Sequence, residues 1–301
     1  MTTVGDMLYQ FGGVPVLGEL TTGKVFFVDS TTGSNSNDGR SPETAVATAD
    51  AATNLCTADK GDFVYFMPNH AETLGTATSF APDVAGVTYV GLGKGSNAPE
   101  FTFSATDSEI TIGAANVTFR NMRFIAGISA VVIGIDVNAD YFTMDGCTTD
   151  YGASTYDFVD HVDFNTTDYG VIKNCRFIAE NATAGANTAI QLIDAQFVTI
   201  TGNYFSGYFA EAPIWNPSGT AGVSYLIADN IIYNDDTTNA DNCISLQTAC
   251  TGVIARNLCG SLYDTNVTTL IDPGSSLNFD NFFCNGVDNH AMILNPGTIS
   301  T

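Results

Sequence analysis

Basic residues are scarce in this chain of 301 residues: Lys and Arg number 9 against 32 Asp and Glu, for a net charge of -23. Because nucleic-acid binding depends on cationic contacts to phosphate, this imbalance excludes nucleic acid as an expected partner and disfavours a polyanionic substrate. Only 14% of the residues are charged, and the mean hydropathy is positive at +0.11. So little charge predicts that part of the side surface is buried against other copies of the chain.

The usual signals of a metal site or a membrane span are also missing. The three His stand far apart, and the seven Cys form neither CxxC pairs nor Cys/His pairs. This excludes a recognisable zinc site and favours free, buried thiols in a reducing cytoplasm. The longest apolar run, Phe124 to Ile135, is too short to cross a bilayer, and the first residues lack a signal-peptide pattern. We therefore expect no metal, no other cofactor and no membrane partner.

A short phrase recurs along the chain at intervals of 24 to 30 residues. An apolar residue stands three positions before each marker of the phrase except the last, where Asn278 occupies that position. Such a fixed period indicates stacked repeats and not a single globular core. The markers are Leu92, Met122, Cys147, Cys175, Asn203, Asn230, Asn257 and Asn281.

Apolar residues alternate within each phrase, as in Val198-Thr199-Ile200, which predicts a strand with one buried face. The apolar positions then shift by an odd number of residues, from Ile200 to Phe205, so the chain must bend between them. Asn, Asp and Gly at each bend tolerate the left-handed backbone of a tight corner. The sequence thus predicts an all-β, right-handed parallel β-helix, with turns about 4.8 Å apart. The four marker Asn should form a ladder of side-chain amides, with Cys147 above Cys175.

Four segments are predicted. Residues 1-24 form an N-terminal arm or docking segment, and residues 25-62 hold a first strand, a turn and a capping helix. In that helix Ser41 is the N-cap, Pro42 takes the first position, and Ala45 to Cys56 continue it. Residues 63-284 form the β-helix, with long polar loops such as Thr148 to Asp157, and residues 285-301 form a C-terminal cap.

The best enzymatic candidate is the segment from Tyr156 to Asp163, which holds Asp157, Asp160 and Asp163 together with His161. Glycoside hydrolysis needs two carboxyl groups about 5 to 9.5 Å apart, one of them protonated. On a strand, His161 and Asp163 would share a solvent face. The alternative is that these polar residues are only the outer side of a strand whose buried side carries Phe158, Val162 and Phe164.

Aromatic residues near the predicted loops are candidate binding residues for sugar rings or for a partner protein. The alternative is that they pack on their own rod. They are Tyr151, Tyr156, Tyr208, Phe209 and Trp215, the only Trp.

Two stretches resemble known β-helix proteins. Phe27-Val28-Asp29 with Asn37-Asp38-Gly39 and Ser41-Pro42 resembles the opening of right-handed parallel β-helix proteins. The segments 12-16 (GGVPV) and 68-73 (PNHAET) are similar to tailspike-like and capsid-decorating β-helix proteins of tailed bacteriophages. The resemblance implies a homotrimer on the virion surface that contacts the major capsid protein or another virion protein, synthesised in the host cytoplasm. No calcium-binding Asp set of pectate-lyase-like relatives can be assigned.

The function expected first is therefore a non-enzymatic virion structural protein, a capsid decoration or surface fibre. Two alternatives stay open. One is a short tailspike-type glycan depolymerase acting through Asp157, Asp160 or Asp163. The other is a glycan-binding adhesin that recognises a host surface glycan without turnover.

Overall fold

The computed structural model describes residues 21-180, 185-217, 219-235, 242-261, 270-285 and 293-294. Three sheets run side by side along one axis, and the chain visits them in rotation. The strands of the first sheet are Val25–Val28, Phe63–Phe66, Thr88–Gly91, Thr118–Arg120, Thr143–Asp145, Val171–Lys173, Thr199–Thr201, Tyr225–Ala228, Gly252–Ala255 and Leu277–Phe279. Those of the second are Ala71–Leu74, Glu100–Phe103, Arg123–Ala126, Thr148–Tyr151, Arg176–Ile178, Tyr204–Gly207, Ile231–Asn234, Leu258–Ser261, Phe282–Asn285 and Ile293–Leu294. Those of the third are Ile110–Ile112, Val131–Val137, Phe158–Asn165, Thr188–Ile193, Ile214–Trp215, Ile244–Ser245 and Ile271–Asp272.

These sheets make the chain an all-β parallel solenoid of about seven turns, as the sequence predicts. The residues three positions before the markers pair with one another in a single row of the first sheet. Those two positions after Met122 and the later markers pair in a row of the second sheet. The first row continues back from Tyr89 to Val64 and Phe26, two turns before the repeat is visible in the sequence.

The core is a column of apolar side chains enclosed by the three sheets. Near its N-terminal end, Phe66 meets Phe101 edge-on with ring centroids 5.1 Å apart. Farther along, Phe177 stacks on Phe205 at 4.9 Å. Each fully buried Phe contributes about 1.5 to 3 kcal/mol relative to exposure. Because the column continues from turn to turn, outward side chains of successive turns are held in fixed register.

From Asn121 onward, each turn bends between the first and second sheets at a residue with left-handed backbone. Six of these residues are Asn, Asp or Gly, as expected, and Arg256 is the exception. Its guanidinium donates to both carboxylate oxygens of Asp229 on the preceding turn, each at 2.7 Å. The corner residues have φ angles between 52° and 67°: Asn121, Gly146, Asn174, Gly202, Asp229, Arg256 and Asp280.

Immediately after the corner, the four marker Asn are buried and form the predicted amide ladder. The side-chain oxygen of Asn230 accepts from the backbone nitrogen of Asn203 at 2.9 Å and from its amide nitrogen at 3.1 Å. The amide nitrogen of Asn230 donates to the side-chain oxygen of Asn257 and to the carbonyl of Ile200, both at 2.9 Å. The same pattern repeats between Asn257 and Asn281. The buried polar groups of these Asn side chains are therefore satisfied by hydrogen bonds to the neighbouring turns.

Cysteine extends the ladder toward the N-terminal end. The backbone nitrogen of Cys175 donates to the side-chain oxygen of Asn203 at 2.8 Å, and its Sγ lies 3.5 Å from the carbonyl of Met144. Cys147 occupies the same corner one turn earlier, so the predicted sulfur step is present. The six cysteines whose side chains the structure describes are free thiols, and five of them are buried.

The single helix predicted from Ser41 to Cys56 is wrong in its extent. The structure has a 3-10 helix, Pro42–Thr44, capped by Ser41, and a separate α-helix, Ala49–Thr53, capped by Thr48. Between them Val46 forms a parallel bridge with Val28, so its backbone hydrogen bonds go to the first strand and not to a helix. The role of this region as a cap stays a prediction.

Other predicted boundaries also change. The segment predicted as a loop from Thr148 to Asp157 begins with the strand Thr148–Tyr151. Residues 1-20 of the predicted arm lie outside the described residues, as does most of the predicted C-terminal cap. Of that cap, the strand Ile293–Leu294 pairs antiparallel with Phe282 and Phe283. Among the described residues, no helix has the length and apolarity needed to span a membrane.

Candidate functional site

Asp160 and Asp163, two of the three predicted catalytic carboxylates, lie close together on the strand Phe158–Asn165 of the third sheet, where Asp163 is only 5% exposed. Asp136 joins them from the preceding turn, because it pairs in register with Asp163. Gln191 pairs with Asp163 on the following turn. Thr188 donates its hydroxyl to Asp160 at 2.9 Å. We call Asp136, Asp160 and Asp163 the carboxylate cluster.

Burial raises the pKa of every carboxyl group in the carboxylate cluster. For Asp163 burial is the main cause and the charges of Asp160 and Asp136 add to it, which raises the pKa to about 7. The Gln191 amide opposes this rise, since its nitrogen, turned toward Asp163, lies 3.0 and 3.2 Å from the two carboxyl oxygens. Burial also raises the pKa of Asp160, where the hydrogen bond from Thr188 partly offsets it. Burial likewise raises the pKa of Asp136. The cluster is thus expected to hold a proton near neutral pH.

This proton makes stability depend on pH. The folded pKa of Asp163, about 7, lies above the value of roughly 3.9 in an unfolded chain. Its contribution is therefore fully present below pH 4 and is lost as the pH rises toward 7. We expect Asp163→Asn, which cannot ionise, to raise the free energy of unfolding at pH 8 by about 2 kcal/mol. Urea denaturation at pH 4 and pH 8 measures this. An equal effect at both pH values would contradict it.

Asp157, the third predicted carboxylate, is not part of the carboxylate cluster. One of its oxygens accepts from the backbone nitrogen of Phe158 at 2.9 Å, and the other accepts from that of Glu180 at 2.8 Å. Its carboxylate also lies 3.6 Å from Nε2 of His161. Asp157 is almost completely buried. These contacts make it a structural residue that ties two turns together.

His161 points into the core, so the prediction that it shares a solvent face with Asp163 is wrong. Its Nδ1 lies 2.7 Å from the hydroxyl of Thr149, a polar side chain in an otherwise apolar row. His161 and the next residue, Val162, are both buried, which shows that the strand departs from simple alternation at this point. The expected buried positions, Phe158, Val162 and Phe164, are confirmed.

The five aromatic candidates for binding do not form one surface. Phe209 is completely buried, with its ring centroid 5.9 Å from that of His161, so it cannot contact a ligand. Tyr208 is also buried, while Tyr151 and Tyr156 are half-buried. Trp215 is half-buried and pairs in register with Gln191, so it alone of the five is placed beside the carboxylate cluster by strand register.

A different set of aromatic residues is exposed. Tyr141, Tyr169 and Phe197 lie one above another at the corner that precedes the first sheet, with centroids 4.8 Å apart and rings parallel within 7°. Each ring is at least 40% exposed, and each residue has a left-handed backbone with φ between 55° and 62°. Bulky residues rarely adopt this conformation, so the row combines backbone strain with apolar exposure. We call these three residues the aromatic row.

Sequence reasoning missed the aromatic row and Asp136, although a signal was present. Tyr141, Tyr169 and Phe197 each stand six positions before a marker, and Asp136 and Asp163 are 27 residues apart, one repeat. Aligning every position of the repeats, and not the phrase alone, would have placed these side chains over one another. Within the described ranges, no three His, Cys, Asp or Glu side chains are grouped so that they could hold a metal ion.

No protein-family model and no curated protein matches this sequence. Solved structures with a similar arrangement include a protein described as rhamnogalacturonan lyase, with 15% identity, a TM-score of 0.46, and coverage of 81% of this chain and 69% of that one. A GH136 lacto-N-biosidase from Eubacterium ramulus has 11% identity, a TM-score of 0.43, and coverage of 86% and 68%. The ORF18 protein of Geobacillus virus E2 has 14% identity, a TM-score of 0.36, and coverage of 78% and 57%. At these values the similarities carry no inference about function.

Proposed function

We propose that this chain is a non-enzymatic structural protein of a bacteriophage virion, a rod that associates side by side into a homotrimer. The observation that supports self-association is the aromatic row. Three large rings are held exposed on one corner of the rod at the cost of left-handed backbone. Strain together with apolar exposure is expected where a surface is covered by a partner.

The geometry of the aromatic row favours contact with protein over contact with sugar. A sugar binds an aromatic ring through the ring face. In this row both faces of the middle ring, Tyr169, are covered by its neighbours, each 4.8 Å away, so that Tyr169 presents only its edge, and Tyr141 and Phe197 each have one face covered. A continuous line of ring edges is an apolar ridge, which suits packing against another apolar surface.

Apolar exposure continues beyond the aromatic row toward the C-terminal turns. Phe197 donates its backbone N–H to the carbonyl of Val223, which is 41% exposed. On the adjoining outer face of the first sheet, Leu226 and Leu277 are 39% and 58% exposed and lie in the same row. Because every copy carries a charge of -23, association requires an apolar contact such as this one.

The number of copies and the virion location rest on the resemblance to capsid-decorating β-helix proteins. The proposed partner is the major capsid protein or another virion protein. Quantitative mass spectrometry of purified particles of the virus that encodes this chain tests the location. We expect a fixed number of copies per particle, divisible by three, that survives extensive washing. Particles that lack the chain altogether would refute the virion role.

A second candidate function, glycoside hydrolysis, is favoured by one observation: two carboxyl groups, Asp160 and Asp163, lie close together, and burial with the charge of Asp160 raises the pKa of Asp163 to about 7. Incubation with a panel of capsular polysaccharides and assay of new reducing ends tests it. If the chain is an enzyme, Asp160→Ala and Asp163→Ala should each lower the rate by at least about 100-fold. Asp107→Ala, which changes an exposed aspartate outside the carboxylate cluster, should keep full activity. Absence of reducing ends across the panel would remove this candidate.

A further inference from the structure

A cleft of about 480 Å³ lies where the first and second sheets meet, well away from the carboxylate cluster. The 3-10 turn Gly95–Asn97 forms one wall, and the outer face of the second sheet forms the floor. On that floor Arg123, Thr148 and Arg176 pair in register on three successive turns. Asp150 also lines the cleft. We call it the arginine cleft.

Two of the nine basic residues of this acidic chain line the arginine cleft. Arg123 is engaged, because its Nη1 lies 2.8 Å from Oε2 of Glu100. Arg176 is exposed and forms no ion pair with any residue that the structure describes. Its guanidinium carbon lies 5.5 Å from the centre of the Tyr204 ring. A guanidinium held over a ring face keeps its N–H groups directed outward in its own plane, where they fit the two oxygens of a carboxylate.

The other groups of the cleft are suited to hydroxyls. Ser96 and Thr148 supply hydroxyl groups, and Asp150 supplies carboxylate oxygens that accept hydrogen bonds. At Gly146, on the corner, a side chain would meet nothing within 4 Å, so a ligand can approach the backbone there. Asp150 repels a doubly charged phosphate more strongly than a single carboxylate, whereas a neutral sugar would leave Arg176 without a charged partner.

We infer that the arginine cleft binds a sugar unit that carries one carboxylate, of the uronic acid class. The carboxylate pairs with Arg176, and the ring hydroxyls bind Asp150, Ser96 and Thr148. This site lies on a different side of the rod from the aromatic row, so it does not depend on the proposed self-association. A chain that carries it would recognise a glycan through one acidic sugar unit without cleaving it, and the net charge of -23 disfavours a glycan in which every unit is charged.

Calorimetric titration of the full chain with matched methyl glycosides tests this inference. The probes are the methyl glycosides of glucuronic and galacturonic acid, with those of glucose and galactose as neutral counterparts. We expect at least one acid to bind roughly tenfold or more tightly than its neutral counterpart, since a charge-assisted bond is lost in the latter. Arg176→Ala should weaken binding of the acid roughly tenfold to hundredfold. Arg176→Lys should fall between, because it keeps the charge and loses the planar fork.

Arg256→Ala is the matched control. It removes an exposed arginine from the same rod at a corner outside the cleft, and should leave binding unchanged. No saturable binding of either acid at about 10 mM would overturn the inference. So would equal binding of acid and neutral glycosides, or full affinity in Arg176→Ala. If neither acid binds and Arg176→Ala lowers the mass of the assembly, the cleft is a contact between copies and the inference is wrong.

Discussion

Replacing Asn230 by alanine is expected to lower the free energy of unfolding by about 3 to 5 kcal/mol, a large part of the total stability of a typical domain. The side chain takes part in four hydrogen bonds, two as donor and two as acceptor. Without it, the backbone N–H of Asn203 loses its acceptor inside a buried corner, and the amide nitrogen of Asn203 keeps only the carbonyl of Ile172. Solvent water does not reach these groups to replace the lost hydrogen bonds, because each Asn of the ladder is at most 2% exposed. The cost is therefore the desolvation of several polar groups and not the loss of one bond.

The shift in the urea midpoint at fixed protein concentration measures this effect. Asn187→Ala is the matched control, because Asn187 is exposed and its side chain makes no hydrogen bond with a described residue. It should change stability by less than about 0.5 kcal/mol. Asn230→Asp should be worse than alanine above pH 5, since it places a carboxylate against the carbonyl of Ile200 and the side-chain oxygen of Asn257. A loss below 1 kcal/mol for Asn230→Ala would show that the ladder does not hold the turns together.

The double substitution Tyr169→Asn and Phe197→Asn is expected to weaken self-association by at least about 100-fold and leave the rod folded. Both residues have left-handed backbone, which Asn adopts more readily than an aromatic residue. Both rings are exposed, so their removal creates no cavity. The change thus separates association from folding, which a substitution in the core could not do.

Sedimentation velocity over a range of concentrations measures the weakening. Val132→Thr is the control, because Val132 is an exposed apolar residue on the third sheet and lies outside the aromatic row. It should associate as the unchanged chain does. If the double variant keeps its assembled form at every concentration, the aromatic row is not the contact between copies.

The fold could be predicted because the repeat contains the residue types that tight corners require and the alternation that strands require. Asn121, Asn174 and Asp229 stand where only a few residue types tolerate the corner, and the residues around them alternate at a strand's period. Buried polar residues can also be predicted, because Asn203 and Asn230 are hydrogen-bond partners on successive turns and Asn therefore recurs at the same position of the repeat. These constraints are local or recur at one spacing, so a single sequence reveals them.

The site was harder to predict because its residues do not follow the average pattern. His161 lies inside because the strand departs from alternation there, and a strict period of two places it outside. The helix expected over Ala45 to Cys56 is interrupted because Val46 bonds to the first strand, a tertiary contact that helix propensity does not contain. The sequence does not show which arginines have a carboxylate partner, so the absence of an ion pair at Arg176 among the described residues could not be predicted.

Sedimentation equilibrium of the unchanged chain is the most direct test of lateral self-association. A mass of three times 31.7 kDa, kept down to micromolar concentration, is the expected result. A mass of 31.7 kDa at every concentration would show that a single rod leaves its aromatic row uncovered, and the proposed structural role would fail with it.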